Sequence, residues 1–366
     1  MFTLGQKRLK IIEKERSSVE TPRVHLKDAI NPKNGTLNFS ATKLNIAIAR
    51  CILSKDLSNL DLIFESLSSY FRYQTIINTT KRDLTFNKAN IGQLRDFSQK
   101  TRIGELAQGI TYLLSQEHLN YPMVVDFEGF VRSKNSKALF TGETPDFIIQ
   151  KKTDFNYSII ESKGHYATNN STKGKLNKAL KQCENGEKII NSELGTYTMN
   201  KSYGVCVKLQ NEQDKNISEI QFVDPTNFEK NDNFNLEIVR YHYASWFLLM
   251  GNMQIYEKLI GQEYLTEEDL NNNQKEEING IQYQMFNMFD AMFPPYFYYF
   301  GHMHPRNRYR NYGIRLDVLN ILMGKSNEFS ETKTREIKDK YQKRYEIFYD
   351  GTIITAHNRV DGSAPK

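Results

Sequence analysis

Cysteine, tryptophan and long apolar runs are all scarce in this sequence of 366 residues. Its three cysteines, Cys51, Cys183 and Cys206, are too few for a disulfide framework, and each lies in an apolar context. We therefore expect buried, reduced thiols and a reducing compartment. The most apolar run, residues 246–250, is far too short to cross a bilayer. The sequence thus predicts a cytoplasmic protein without a signal peptide or a membrane span.

Several enzyme signatures are absent as well. The chain contains no P-loop, no GxSxG nucleophile motif and no glycine fingerprint for a dinucleotide. An ATP-driven activity would therefore require another chain. A strong excess of one charge sign is also missing, because 49 Lys and Arg stand against 43 Asp and Glu. This balance is too mild by itself to indicate a polyanionic partner.

The positive charge is nevertheless unevenly distributed. Residues 1–60 carry eleven Lys or Arg against five Asp or Glu. This segment could face a polyanion, or it could be a solvated arm followed by ordinary helices, and the sequence leaves both open. Ser40 is typical of a helix N-cap before residues 41–53, and apolar residues at helical spacing predict a second helix over residues 60–73. We therefore expect residues 1–99 to form a mainly helical, basic N-terminal region.

Residues 100–225 alternate between helical and strand-like patterns, which is typical of an α/β core. An apolar stripe at helical spacing begins at Ile103, and three strand-like runs follow it. A second amphipathic helix begins near Ser171 or Thr172, and two further strands come after it. The predicted strands are residues 123–131, 147–150, 157–160, 203–209 and 217–223. The predicted fold is therefore α/β, with a mixed central sheet flanked by helical N- and C-terminal regions.

Residues 226–366 are expected to form a third region that is mainly helical and rich in aromatic residues. A helix is predicted over residues 236–259, and a short hairpin is predicted around Asp350 and Gly351. Residues 293–300 are unusually aromatic, which favours packing in this region or at a subunit contact.

Two acids and a lysine near the middle of the chain are the most informative residues. Pro145 and Asp146 open one predicted strand, and Glu161, Ser162 and Lys163 close the next. Alternation along a strand puts Glu161 and Lys163 on one face, and a hairpin partner can bring Asp146 against them. Carboxylates this close are hard to keep ionised without a cation, and hard oxygen ligands select Mg²⁺ or Mn²⁺. Such a metal can activate a water, while Lys163 could orient or deprotonate that water or pair with a phosphate.

This pair of motifs resembles the PD-(D/E)xK nuclease superfamily. The predicted order of helix, three strands, helix and strand resembles the restriction-endonuclease-like core of that superfamily, over roughly residues 100–210. The resemblance implies that Asp146 and Glu161 are metal ligands and that Lys163 is the catalytic lysine. It further implies a Mg²⁺-dependent endodeoxyribonuclease, with DNA favoured over RNA as the substrate.

The resemblance also covers two neighbouring positions. Glu105 corresponds to a further metal-binding acid on the preceding helix, with Glu117 a weaker candidate, and Gln182 corresponds to a glutamine that many members carry on the following helix. The tyrosine that often follows this glutamine in the RecB-like branch is absent, and Gly186 stands in its place. Stand-alone members often serve bacterial host defence, such as restriction or antiphage immunity. The implied partners are nucleic acid and either a second copy of the chain or another protein of a defence complex.

Two groups of basic residues are candidate contacts for nucleic acid. From Lys163 to Gln182 there are five lysines and no acid, which could neutralise phosphates or form the solvated face of a helix. Arginines interleaved with tyrosines farther along could bind phosphates and bases, contact an acidic partner or form a loop. The candidate residues are Lys173, Lys175, Lys178, Lys181, Arg306, Arg308 and Arg310. His165, just beyond the motif, could touch a phosphate or have a structural role.

A non-catalytic module is the alternative interpretation. Glu-x-Lys is a common pattern, Pro-Asp often begins a turn, and Glu161 with Lys163 could be a surface pair on an edge strand. A nucleic-acid-binding or complex-assembly protein could use a nuclease-like fold and these basic residues without cutting. Metal-dependent cleavage by the purified protein distinguishes the two interpretations.

Overall fold

The structure is a computed structural model, and its described residues fall into two units. The first lies within Met1–Ile52 and Leu67–His242, and the second lies within Leu53–Ser66 and Tyr243–Lys366. Most of the helix predicted over residues 60–73 lies outside the described residues. These are 6–16, 26–52, 72–73, 75–152, 157–166, 172–195, 199–224, 236–270, 274–287, 311–329, 337–338 and 344–356.

The first unit combines one large sheet with helices. Its strands are β1 (Gln6–Arg16), β2 (Leu26–Asp28), β3 (Gly35–Ser40), β4 (Met123–Asp126), β5 (Phe147–Gln150), β6 (Tyr157–Tyr166), β7 (Met199–Leu209) and β8 (Glu219–Val223). Its helices are α1 (Ala41–Ile52), α2 (Lys88–Gly92), α3 (Asp96–Glu117), α4 (Phe127–Lys134) and α5 (Thr172–Glu193). The next helix, α6 (Leu236–Leu249), begins in this unit and ends in the second.

The strands of the first unit form an eight-stranded mixed sheet in the order β2-β1-β8-β7-β6-β5-β4, and β3 pairs with β1. The β6–β7 and β1–β8 pairs are parallel, whereas the β4–β5, β5–β6 and β7–β8 pairs are antiparallel. The prediction of an α/β fold with a mixed central sheet is therefore confirmed.

Strand β6 lies at the centre of this unit and is covered on both faces. On one face, Gly164 packs so tightly against α3 that a Cβ at this position would come within 2.6 Å of the Ile103 carbonyl oxygen. The Thr111 hydroxyl also donates a hydrogen bond of 2.9 Å to the Ser162 hydroxyl on this face. On the other face, Leu176 of α5 packs into an apolar cluster of the sheet. The strand that carries the Glu-x-Lys motif is thus held between two helices.

The predicted start of α1 is confirmed, whereas four of the five predicted strands have other bounds, since β4 and β8 are shorter and β6 and β7 are longer than predicted. The Ser40 hydroxyl accepts a hydrogen bond of 3.0 Å from the Lys43 N–H and caps α1, as predicted. The strand predicted over residues 123–131 ends at Asp126, whose side chain accepts from the Gly129 N–H and caps α4. The apolar run continues into α4 because one face of this short helix is also buried, so composition alone did not separate the two elements.

The expected helical N-terminal flank needs correction. Residues 6–16 form a strand inside the central sheet, where Leu9 and Ile11 are buried and Lys10 between them is exposed. This alternation has the period of a strand, but the charged residues that surround it resemble a solvated arm. The positive charge of this segment is therefore attached to a strand and not to an amphipathic helix.

The expected helical C-terminal flank also needs correction. The second unit contains a six-stranded antiparallel sheet in the order β12-β13-β14-β11-β10-β9. Its strands are β9 (Lys275–Ile278), β10 (Ile281–Asn287), β11 (Asn311–Arg315), β12 (Ile337–Lys338), β13 (Arg344–Ile347) and β14 (Thr352–Ala356), and its helices are α7 (Met253–Ile260) and α8 (Leu316–Leu322). The strands are rich in aromatic and β-branched residues, which pack well on a pleated surface.

The hairpin predicted around Asp350 is confirmed as the β13–β14 turn. The Tyr243 hydroxyl donates to the Asp350 carbonyl at 2.6 Å, and the Trp246 indole N–H donates to its carboxylate at 2.9 Å. The helix predicted over residues 236–259 is divided into α6 and α7, because Gly251 adopts a φ of +76°.

Within the described ranges, no helix has the length and apolarity that a membrane span requires.

Candidate active site

Asp146, Glu161 and Lys163 lie together where β5 and β6 pair. The antiparallel register places Phe147 opposite Ile160, so Asp146 precedes β5 beside Glu161. The Asp146 N–H donates a hydrogen bond of 2.8 Å to Glu161 Oε2, and the Lys163 ammonium forms an ion pair with Glu161 Oε1. Glu161 thus contacts both of the other residues named from the sequence, Asp146 through its backbone N–H and Lys163 through its ammonium.

Two further groups hold the Asp146 carboxylate. Gln108 of α3 donates a hydrogen bond of 2.8 Å to Oδ1, and the Ser162 N–H donates one of 2.9 Å to Oδ2. Gln108 was not predicted, because the family resemblance implies an acid on this helix and not an amide. The only sequence signal for Gln108 is a polar residue between Ala107 and Gly109, which are both buried.

Burial controls the charge of the two acids. The Glu161 side chain is almost fully buried, and this burial, with the nearby charge of Asp146, raises its pKa to about 8 despite the opposing effect of Lys163. Burial also raises the pKa of Asp146, while the hydrogen bonds from Gln108 and Ser162 oppose the rise. The pair therefore resists carrying two negative charges unless additional positive charge is present.

The donor set fits a hard divalent cation. Carboxylate oxygens are the ligands that Mg²⁺ and Mn²⁺ prefer, and Mg²⁺ is typically held by one or two carboxylates together with waters and substrate phosphates. Asp146 and Glu161 supply two such groups. Among the residues that the structure describes, no group of three or more His, Cys, Asp or Glu side chains is arranged to hold a metal.

Gln182 lies beside the site and positions the segment that leads to Asp146. Its amide N–H donates a hydrogen bond of 3.0 Å to the Thr144 carbonyl, while its buried Oε1 has no partner among the described residues. One turn later, a Cβ at Gly186 would come within 2.5 Å of Pro145 Cγ. Any larger residue at this position would therefore require Pro145 to shift.

Glu105 makes other contacts. Its carboxylate accepts hydrogen bonds from Arg72 at 3.2 Å and from the Tyr73 hydroxyl. Both partners lie in an earlier segment of the chain. Glu105 lies three residues before Gln108, so the two occupy adjacent turns of α3. Glu117 is paired with Lys43. The structure thus joins Gln108, and not Glu105, to Asp146.

The predicted basic residues are only partly described. Lys173, Lys178 and Lys181 are exposed on α5, and Lys175 is half-buried in its first turn. Lys178 forms an exposed ion pair of 2.7 Å with Glu143, which precedes the Pro-Asp motif. The three candidate arginines, Arg306, Arg308 and Arg310, lie outside the described residues.

The raised pKa of Glu161 predicts a pH-dependent effect on stability. The ordinary value of 4.5 rises to about 8 in the folded chain, so between these values the folded state binds more protons than the unfolded state. The free energy of unfolding of the metal-free protein should therefore fall as the pH rises through this window. Glu161→Gln removes the buried charge, so we expect its melting temperature to exceed that of the wild type by ~5 °C at pH 8.5, with no difference near pH 4.5.

Thermal unfolding followed by circular dichroism in a chelating buffer measures this effect. Glu143→Gln is the matched control, because Glu143 is exposed and its pairing with Lys178 lowers the pKa of its carboxyl. The control should show no gain at alkaline pH. A Glu161→Gln variant that is no more stable than the wild type at pH 8.5 would contradict the raised pKa.

The site therefore combines two buried carboxylates that favour a cation, a lysine in contact with one of them, and a glutamine that orients the other. This arrangement can hold a divalent metal beside an ammonium group. Comparisons with known proteins identify no relative, because no family model, curated protein or solved structure matches the chain.

Proposed function

We propose that this chain is a metal-dependent nuclease that hydrolyses phosphodiester bonds, with Asp146 and Glu161 as Mg²⁺ ligands and Lys163 as the catalytic lysine. The observation that carries the proposal is that the buried Glu161 carboxylate contacts both the Asp146 backbone N–H and the Lys163 ammonium at the β5–β6 junction. The pKa of the buried Glu161 carboxyl is raised to about 8 beside a second acid, so a bound cation would stabilise its ionised form. Mn²⁺ could serve in place of Mg²⁺, because it prefers the same oxygen ligands.

The residues of the chain have distinct roles in this proposal. When bound, the metal supplies a water of lowered pKa and a positive charge for the phosphodiester. Gln108 and the Ser162 N–H fix both oxygens of Asp146, and the Asp146 N–H fixes Glu161. The Lys163 ammonium remains partly exposed, so it can contact a phosphate oxygen or exchange a proton with the attacking water. Gln182 positions the residues before Asp146 through Thr144.

The proposed superfamily is PD-(D/E)xK, with a restriction-endonuclease-like core. The arrangement of α3, three antiparallel strands (β4, β5 and β6), α5 and a β7 strand parallel to β6 supports it. By the same resemblance, we propose DNA as the substrate, a cytoplasmic role in bacterial host defence, and either a homodimer or a partner protein. The lysines of α5 are proposed to contact phosphates, because α5 also carries Gln182 beside the site.

Cleavage by the purified wild-type protein tests the proposal directly. We expect plasmid or linear DNA to be cut in Mg²⁺ or Mn²⁺ and to stay intact in EDTA, because the two carboxylates alone cannot activate water. Single-stranded DNA and RNA of the same sequence serve as parallel substrates. A protein that binds nucleic acid but cuts none of these substrates with either metal would contradict the nuclease proposal.

A non-catalytic binding or assembly module is the second candidate function. All four carboxylate oxygens of Asp146 and Glu161 accept a hydrogen bond or ion pair from the chain itself. A site whose carboxylate oxygens are all paired within the chain could stabilise the β5–β6 junction without a metal. The cleavage assay separates the two functions, because only the nuclease proposal predicts products that depend on the metal.

A further inference from the structure

Strand β6 extends beyond the proposed catalytic residues toward a second polar position. Alternation along this strand places Glu161, Lys163 and His165 on one face, with successive members ~6.6 Å apart. The parallel register gives each of them a neighbour on β7. These neighbours are, in the same order, Gly204, Cys206 and Lys208. His165 and Lys208 therefore form the next row of this face after Lys163.

Helix α5 covers this face with its N-terminus toward His165. The Leu180 side chain and the Leu176 carbonyl lie over Gly204, and both leucines pack with Cys206. The Cys183 thiol, later in the helix, contacts the Tyr203 carbonyl at 3.4 Å, one position before Gly204. The helix therefore runs toward the His165 row as it is followed back to its beginning. The charge of Lys175, in the first turn of α5, accordingly acts on the His165 imidazole.

The His165 side chain is buried but has no hydrogen-bond partner. Only 6% of its surface is exposed, and neither ring nitrogen has a partner among the described residues. A neutral imidazole carries one donor and one acceptor, and buried polar groups nearly always have partners. An unpartnered imidazole at this position therefore points to a ligand.

The charges around His165 select the chemical class of that ligand. Lys175 of α5 and Lys208 of β7 contribute positive charge, and Glu219 of β8 opposes them at 3.8 Å from Lys208. The first turn of α5, which is fully described, contains two lysines and no acid. The first N–H groups of a helix have no partner within the helix and attract anions. An anion with several oxygen acceptors fits this combination of donors.

We propose that His165, Lys208 and the first turn of α5 form a binding subsite for a phosphate group. On the basis of the proposed nuclease function, its occupant is the substrate phosphodiester that follows the one cleaved at Asp146, Glu161 and Lys163. Because the subsite lies one row beyond Lys163 along β6, the two phosphates belong to the same strand of nucleic acid. This second contact fixes the line along which the strand crosses the site.

A phosphate titration tests the subsite without requiring cleavage. In protein labelled with ¹⁵N-histidine, the ring signals of His165 are identified by their loss in His165→Gln and followed by NMR as inorganic phosphate is added. We expect a saturable shift at His165 and none at His118, whose Nε2 already contacts the Lys33 carbonyl at 2.8 Å. The absence of a saturable shift at His165, or equal shifts at both histidines, would overturn the subsite.

Lys208→Gln provides a second variant that leaves His165 in place. We expect it to weaken phosphate binding ~10-fold, the loss of one charged contact. Lys201→Gln is the matched control, because Lys201 lies on the same strand but on the opposite face, where it pairs with Asp224 at 2.8 Å. Equal phosphate affinities in the two variants would overturn the assignment.

Oligonucleotide binding in EDTA distinguishes the source of the phosphate. With a 5′-hydroxyl oligonucleotide, which contains only internal phosphodiesters, Lys208→Gln should again weaken binding ~10-fold. A defect confined to a 5′-phosphorylated oligonucleotide would overturn the internal phosphodiester in favour of a terminal phosphate. If phosphate shifts His165 but the protein cuts no nucleic acid, the subsite stands and the nuclease proposal fails. If the protein cuts nucleic acid but phosphate does not shift the His165 signals, the nuclease proposal stands and the subsite fails.

Discussion

Glu161→Gln and Asp146→Ala should each abolish metal-dependent cleavage, with a loss of at least ~10³-fold in rate. Each variant removes one of the two carboxylates that fit the cation, while β6, which carries Glu161, remains packed between α3 and α5. Glu161→Gln is the cleaner variant, because glutamine has the shape of the carboxyl group that burial already favours in its neutral form. Asp146→Ala in addition leaves the Gln108 amide and the Ser162 N–H without their acceptor.

Single-turnover cleavage in Mg²⁺ and binding in EDTA should be measured on the same preparations. Binding is expected to persist in both variants, because the lysines that we propose to contact phosphate are retained. Glu143→Gln is the matched control, since it removes a nearby carboxylate that is exposed and paired with Lys178. Full cleavage by either catalytic variant, with wild-type contamination excluded, would refute the site, and an equal loss in Glu143→Gln would show that the assay does not distinguish the carboxylates.

The β5–β6 junction could be predicted from the sequence because all of its determinants are local. Short apolar runs bounded by polar residues identified both strands, and the period of two placed Glu161 and Lys163 on one face. Antiparallel pairing of these two strands then places Asp146 beside Glu161. What the pattern did not reveal is that the Asp146 backbone N–H binds Glu161, because a backbone contact has no residue signature.

Contacts made by distant segments could not be predicted in this way. Glu105 was a reasonable candidate ligand by its place on α3, but Arg72 and Tyr73, more than thirty residues earlier, bind its carboxylate. Gln108, in contrast, was not predicted from the sequence but contacts Asp146, because this contact depends on how α3 packs across β6. The strand at residues 6–16 was missed because its many charged residues resemble a solvated arm, and because one of its three pairing partners, β8, lies some two hundred residues later in the chain.

Lys163→Ala should lower the single-turnover rate of cleavage by ~10² or more, as expected for a group that transfers a proton or stabilises charge. The structure adds a second consequence. The Lys163 ammonium lowers the pKa of the Glu161 carboxyl, so its removal should keep Glu161 protonated to a higher pH and weaken the metal site. The rate should therefore be measured at saturating Mg²⁺ and at two pH values, pH 7 and pH 9. Glu161 is more fully ionised at pH 9 than at pH 7.

The pH comparison and a second substitution separate the possible roles of Lys163. A loss that disappears at pH 9 means that the lysine acts only by keeping Glu161 ionised, whereas a loss that persists at both pH values places it in the chemical step. Lys163→Arg keeps a positive charge but cannot act as a base, so full activity in this variant leaves Lys163 a charge role alone. Lys188→Ala removes an exposed lysine of α5 and serves as the control. A wild-type rate for Lys163→Ala at both pH values would mean that Lys163 has no part in catalysis and that its contact with Glu161 is structural.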